Sequence, residues 1–271
     1  MNSFSGKVAV ITGAGSGIGR ALAISLAQQG CHLALADINA ESLEHTQSVL
    51  DSNLFDGGVH VTLHTVDVSQ WFEVKTFADS VQKQHGHVDL LINNAGVGMG
   101  ALFKDASLED MHWVMNINYW GVVHGCKAFL PLMQNTGGST IVNVSSVFGL
   151  ISSGMGTAYS ASKFAVRGFS DALRHEVGFM GKTLKVACAF PAGIQTDIAQ
   201  SSRMTIDPKS RKSAEEIKTA IEARFLTTAE RAAEDILGGI RKGQTRIKVG
   251  KGSTIIDLLA RLLPVHYARF F

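Results

Sequence analysis

Thr12-Gly13-Ala14-Gly15-Ser16-Gly17-Ile18-Gly19 lies between an apolar run, Lys7 to Thr12, and the helix-patterned segment Arg20 to Gln29. Strand, glycine turn and helix in that order predict a βα unit whose turn brings bare backbone close to a ligand. The helix start behind the turn offers unpaired N–H groups and the positive end of a dipole. The stretch therefore reads as a cradle for a nucleotide pyrophosphate, with Gly13, Ser16, Gly17, Ile18 and Gly19 as its contacts. Strict Gly-x-Gly-x-x-Gly fails, because Ile18 occupies the third glycine position counted from Gly13. The pattern is Thr-Gly-x-x-x-Gly-x-Gly. A turn of this kind also serves strand–helix packing alone.

Working outward, Cys31 to Ala36 reads as a second strand ending in Asp37, 18 residues after Gly19. A carboxylate there accepts both ribose hydroxyls of an adenosine and repels a 2′-phosphate, which favours NAD over NADP. Ile38 and Asn39 follow it, so no adjacent cation offsets the charge. The competing reading makes Asp37 a cap for a helix over Ala40 to Leu50.

Further strands are predicted over Val59 to Val66, Val88 to Ile92, Ser139 to Val144, Leu184 to Phe190 and Thr245 to Val249. Helices are predicted over Trp71 to His85, capped by Ser69, and over Ser107 to Asn116, Asn118 to Met133, Thr157 to Met180, Ala214 to Arg224 and Thr228 to Arg241. Alternation of this kind implies right-handed βαβ units and a parallel sheet. Ligands of such sheets bind beyond the carboxyl ends of the strands. Asp67 and Val68 after the third strand, and Asn94, Ala95 and Gly96 after the fourth, fall there.

Tyr159 and Lys163 are four apart at the start of a predicted helix, so both side chains share one face. A cation beside a phenol eases formation of the phenolate. Bringing an ordinary tyrosine from about pH 10 to near neutrality takes roughly 4 kcal/mol. Ser146, just past the fifth strand, faces the same sheet edge, although a serine there is also an ordinary turn residue.

Composition narrows the alternatives. The 271 residues carry a formal net charge of +2 with both signs interspersed, which excludes a nucleic-acid footprint. Three cysteines, Cys31, Cys126 and Cys188, lie far apart among apolar residues and read as buried thiols of a reducing, cytoplasmic compartment. The ten histidines form no zinc pattern, so no metal site is expected; His85 and His87 read as a helix end. No secretory signal and no bilayer-spanning run is expected.

No linker or repeat divides the chain, so residues 1–271 form one domain. Residues 192–225, polar and broken at Pro208, read as a substrate-binding lid. Residues 252–271 form an apolar tail containing Ile255, Leu258, Leu262, Val265, Tyr267, Phe270 and Phe271. It either packs on its own chain or a sister subunit, or lies on a membrane with Arg261 and Arg269 at the headgroups.

Together Thr12-Gly13-x-x-x-Gly17-Ile18-Gly19, Asp37, Asp67, Asn93-Asn94-Ala95-Gly96, Asn118, Ser146 and Tyr159-x-x-x-Lys163 resemble the short-chain dehydrogenase/reductase superfamily, in its branch of roughly 250 residues. The resemblance spans Lys7 to Val249. It implies a single-domain α/β Rossmann fold with about seven parallel strands in the order 3-2-1-4-5-6-7, and an Asn118-Ser146-Tyr159-Lys163 tetrad. Tyr159 would exchange the substrate proton, Ser146 hold the substrate oxygen, Lys163 lower the tyrosine pKa and bind the nicotinamide ribose, and Asn118 keep a water in a proton relay. Pro191, Ile194 and Thr196 would line the nicotinamide, with Ala192-Gly193 replacing the usual glycine directly after the proline. Homodimers or homotetramers through the two long helices are also implied.

The resulting expectation is an NAD-dependent oxidoreductase for a secondary alcohol or ketone. Gly98, Met99, Phe103, Phe148, Leu150, Ile151 and Met155 predict an uncharged, hydrophobic substrate. The alternatives are a non-catalytic NAD-binding regulator and a membrane-surface dehydrogenase of lipid-like alcohols.

Overall fold

The computed structural model describes residues 1–53, 58–133, 137–179, 184–206 and 213–270. The expected helix end at Met180, the break at Pro208 and the terminal Phe271 lie outside them. In chain order the first half contains β1 (Val8–Thr12), α1 (Gly17–Ala27), β2 (His32–Asp37), α2 (Ala40–Asn53), β3 (Val61–Thr65), α3 (Trp71–His85) and β4 (Leu90–Asn93). Then come β5 (Met99–Gly100), α4 (Leu108–Met115), α5 (Gly121–Met133), β6 (Thr140–Val144), α6 (Thr157–Phe179) and β7 (Lys185–Pro191). The chain closes with β8 (Arg203–Met204), α7 (Ala214–Glu222), α8 (Ala229–Arg241), β9 (Arg246–Val249) and α9 (Ser253–Leu262).

Seven strands form one parallel sheet in the order β3-β2-β1-β4-β6-β7-β9. Numbered along the chain within that sheet, this is the anticipated 3-2-1-4-5-6-7. The two-residue strands β5 and β8 pair separately, Met99 with Arg203 and Gly100 with Met204.

Helices on both faces explain why the strands read as continuous apolar runs rather than as alternating ones. Ala9, Ile11, Leu33, Leu35, Leu90 and Ile92 join the core under α1 and α8. Their neighbours Val10, Ala34, Ala36 and Leu91 join the opposite core with Phe77, Phe129 and Val166. Period two along each strand thus divides the buried side chains between two cores. On α1, Leu22 and Leu26 are fully buried, each stabilising by roughly 1.5–3 kcal/mol.

Three local expectations are corrected. Gln70, not Ser69, is the N-cap of α3 and makes no side-chain cap bond; the Ser69 N–H instead donates to Asp67 Oδ1 at 2.9 Å. That helix closes at Gly86, with φ at 79°, while His85 meets Thr62 at 3.0 Å and His87 meets the buried Asp89 at 3.0 Å. The two helices expected on either side of Ile117 are one continuous helix. A single π-helical turn, Asn116–Trp120, joins α4 to α5, and an extra residue in a turn is invisible to a 3.6-residue periodicity.

Candidate active site

The glycine turn is built by exclusion of side chains. A Cβ on Gly19 would collide with the carbonyl of Gly13, its carbon 2.7 Å away, and Gly13 itself has φ of 65°. Thr12 Oγ1 accepts the N–H groups of Asn94 and Ala95 at 3.0 and 3.1 Å, tying the turn to the end of β4. The Asn94 amide donates to Thr12 O and Gly13 O at 3.0 and 3.1 Å. Asn94, anticipated as a ligand contact, therefore braces the cradle, and its amide hydrogens are engaged.

Behind the turn, α1 begins without help from side chains. Ser16 is its N-cap but makes no side-chain cap bond, and the first turn carries no acidic residue. Its N–H groups and dipole remain directed at the space above Gly13 and Gly17, the arrangement that accepts a phosphate. Thr196 closes the far side, since a Cβ on Gly17 would lie 2.8 Å from Thr196 Cγ2.

Asp37 stands at the end of β2, where its Oδ2 accepts the Gly15 N–H at 2.9 Å and its Oδ1 accepts the Asn39 N–H at 3.1 Å. Arg20, the cation nearest this corner in sequence, donates to Gly15 O and, at 3.1 Å, to Thr46 Oγ1. Asp67 is fixed by bonds from Ser69 N and to Glu73 through its own N–H, at 2.9 and 2.7 Å. Val68 is buried, and its carbonyl meets His124 Nδ1 at 3.0 Å.

The π-helical turn sets Asn118. Its Oδ1 accepts the Val97 N–H at 2.8 Å, and its Nδ2 donates to Val97 O at 3.0 Å and Ser162 Oγ at 3.1 Å. The fully buried side chain thus clamps the loop after β4 against α6. A Cβ on Gly96 would lie 3.1 Å from Asn118 Oδ1 and 3.2 Å from Lys163 Nζ, so Gly96 keeps a space open between the two.

Ser146, Tyr159 and Lys163 converge as anticipated. Ser146 Oγ accepts the Phe148 N–H at 3.1 Å, which makes it a turn residue as well, and its side chain acts on the Tyr159 phenol, drawing the phenol pKa down. Lys163 Nζ lies 5.7 Å from the Tyr159 ring centroid and donates to Val144 O at 3.3 Å. Only 3% of Lys163 is exposed, and this desolvation lowers its pKa to about 8. Burial also raises the Tyr159 pKa, opposed by the Ser146 hydrogen bond. Burial is the larger of the two effects on the phenol.

The loop after β7 settles the Ala192-Gly193 departure. The positive φ, 55°, falls at Gly193, and Ala192 has ordinary backbone. Pro191 ends β7 in register with Val249, while Ile194 is buried and bridges Thr227. Arg203 reaches Asp110 at 2.7 Å and stacks on the Trp113 ring at 4.0 Å, a clasp between β8 and α4 that sequence spacing does not reveal. Of the expected pocket wall, Phe148 lies edge-on to Tyr159 at 6.2 Å, and Met155 has φ of 62°. Leu150 instead belongs to the core.

Among the described residues no cluster of histidine, cysteine, aspartate or glutamate could hold a metal. Cys31, Cys126 and Cys188 are free and buried. Ser162, a partner that fixes Asn118, escaped the sequence reading, and Thr12 was read there as the head of the glycine motif rather than as the group that holds Asn94.

The family profile described as short chain dehydrogenase matches residues 7–207. The chain is 39% identical over 269 residues to SadH of Mycobacterium tuberculosis, covering 99% of this chain and 95% of that protein. It is 36% identical over 197 residues to D-threitol dehydrogenase of Mycolicibacterium smegmatis, covering 73% and 74%. A crystal structure of a short chain dehydrogenase/reductase from Burkholderia phymatum in complex with NAD superposes with a TM-score of 0.86 at 31% identity, over 97% of this chain and 95% of that one.

Proposed function

The chain belongs to the short-chain dehydrogenase family of oxidoreductases, and from that premise we propose that it transfers a hydride between NAD(H) and an uncharged, hydrophobic secondary alcohol or ketone. The observation that carries this reading is the convergence of Ser146, Tyr159 and Lys163 at the sheet edge, beside a glycine turn whose close packing leaves no room for a Cβ.

Gly13 to Gly19, Asp37, Asp67, Val68 and the loop from Pro191 to Thr196 would hold the dinucleotide. When bound, its nicotinamide supplies the hydride acceptor or donor. In the oxidation direction Tyr159, as phenolate, takes the proton of the substrate hydroxyl, and Ser146 donates a hydrogen bond to the same oxygen as charge develops on it. Lys163 holds a positive charge beside the phenolate and keeps donors free for a ribose. Asn118 holds the Val97 loop against α6, which keeps the space beside Lys163 Nζ open. In reduction Tyr159 is the acid.

Asp37 supports NAD over NADP, because its carboxylate occupies the corner beside Gly15, where the Arg20 guanidinium is tied to Gly15 O and Thr46 Oγ1. Phe148 beside Tyr159 supports an apolar substrate. Trp120 and Phe164, 47% and 40% exposed on the two long helices through which the family resemblance implies assembly, support a homodimer or homotetramer.

The test is reduced-nicotinamide absorbance with NAD and with NADP across secondary alcohols from polyols to long-chain species, alongside Tyr159→Phe. Turnover with NAD that falls at least ~100-fold in the variant is expected. Normal turnover by the variant would overturn the assignment. A clear preference for polyols would overturn the hydrophobic substrate. Tight NADH binding without turnover of any substrate would favour the non-catalytic nucleotide-binding reading.

A further inference from the structure

Helix α9 is turned inside out. Its buried residues are the polar Ser253 and Asp257, four apart on one face. Ile255, Leu258 and Leu262 lie on the opposite face and are 64%, 54% and 69% exposed; Val265, just beyond the helix, is 79% exposed. A helix that simply completed its own domain would bury the aliphatic stripe and solvate the carboxylate.

Asp257 explains the orientation. Its carboxylate is paired with Lys248 at 3.0 Å and Arg261 at 3.1 Å and is held below the ordinary carboxylate range by those partners against the opposing effect of burial. Asp257 is the sole acidic residue from Lys251 to the end of the chain, and it is neutralised inside the fold. The charges left at the surface here are basic: Lys251 and Arg269 are exposed, and Arg261 is 55% exposed.

An exposed aliphatic stripe rimmed by cations matches an anionic bilayer, with side chains entering the acyl boundary and cations reaching headgroups. Self-association through this same face would set Lys251, Arg261 and Arg269 against their own copies, a like-charge juxtaposition. No helix among the described residues is long and apolar enough to cross a membrane, so the contact would be peripheral. We propose that α9 and the turn after it dock the protein on an anionic lipid surface.

The docking face adjoins the active site. Helix α9 packs against the Val147–Gly149 turn that follows Ser146, and the Tyr267 hydroxyl bonds to Ser152 N and Oγ at 3.1 and 2.8 Å. Ser152 lies on the segment between Ser146 and Tyr159, so a molecule dissolved in the bilayer would meet the protein beside its substrate loop.

The experiment is flotation of the full chain with vesicles of phosphatidylcholine alone or mixed with phosphatidylglycerol, at low and high salt. Ile255→Glu/Leu258→Glu and Lys251→Glu are compared with the unaltered protein, and circular dichroism verifies that each variant is folded. These positions are exposed and outside the reaction site. Flotation with the anionic vesicles, weakened by salt, is expected. The double variant should lower partitioning on the order of a hundredfold, and Lys251→Glu severalfold. Failure to float at low salt, or flotation unaltered by the double variant, would overturn the proposal. So would a drop in oligomer mass by light scattering in the double variant with flotation intact, which would assign the face to a second copy. Flotation reads binding rather than turnover, so its outcome is separable from that of the reaction proposed above.

Discussion

Lys163 carries its ammonium 5.7 Å from the centroid of the Tyr159 ring, inside the protein, with Val144 O at 3.3 Å as its hydrogen-bond partner. Its pKa, about 8 rather than 10.5, follows from desolvation. The unfolded chain holds this proton over a range where the folded chain has released it, so stability climbs as pH rises from about 8 to 10.5. Below that window the cost of burying the charge is fully present, about 3 kcal/mol. Lys163→Met should therefore raise the melting temperature of the ligand-free protein at pH 7 while turnover falls at least ~100-fold. A variant that melts lower would show that the buried ammonium stabilises the fold.

Ser146 lowers the Tyr159 pKa through their hydrogen bond, against the upward push of burial. Ser146→Ala leaves burial unopposed, and the phenol becomes a weaker acid. The pH at which alcohol oxidation reaches half its maximum should move upward, with a loss of about 100-fold in kcat. A pH–rate profile checks this; an unmoved profile would restrict Ser146 to its place in the turn.

Asp37 joins the end of β2 to the glycine turn through the Gly15 N–H at 2.9 Å. Asp37→Ser removes a charge from that corner and weakens the bond. The ratio of kcat/KM for NAD to that for NADP should fall at least ~10-fold, with a stability loss of about 1 kcal/mol. Kinetics with both dinucleotides and a thermal melt separate the two effects.

Arg203 fastens β8 to α4 through Asp110 and Trp113. The guanidinium holds the Asp110 carboxyl below its usual range, so the pair persists into mild acid. If residues 192–225 cover the substrate, Arg203→Ala should raise substrate KM about fivefold and leave kcat close to that of the unaltered protein, since β8 is then held against α4 for less of the time but in the same arrangement. A fall in kcat with KM unchanged would place Arg203 in the chemical step instead.

Local pattern was enough to identify the strands of the sheet and the motifs along its edge. Thr12 to Gly19, Asp37, Asn93 to Gly96, Ser146, Tyr159 and Lys163 lie at strand ends or helix starts, where alternating apolar runs and glycine turns fix position along the chain. Strand boundaries moved by a residue or two, because hydrophobic periodicity dictates them; the order of the strands was implied by the family resemblance, and the sheet matches it. The roles of individual polar groups were less legible. Asn94 looked like a ligand contact, and its amide proves also to brace the turn; Leu150 looked like pocket wall and lies in the core. Such distinctions depend on where a side chain's partners lie, 82 residues away in the case of Thr12 and Asn94.

By itself, then, the sequence determined the βα order, the nucleotide-type turn and the identity of the converging serine, tyrosine and lysine, since those depend on spacing and residue chemistry. Only the tertiary structure decided the single π-helical turn that sets Asn118, the burial that raises the Tyr159 pKa and lowers that of Lys163, the Arg203 clasp, and the outward aliphatic face of α9. Each of these arises from desolvation or from contact between segments distant along the chain, and neither is encoded in local periodicity.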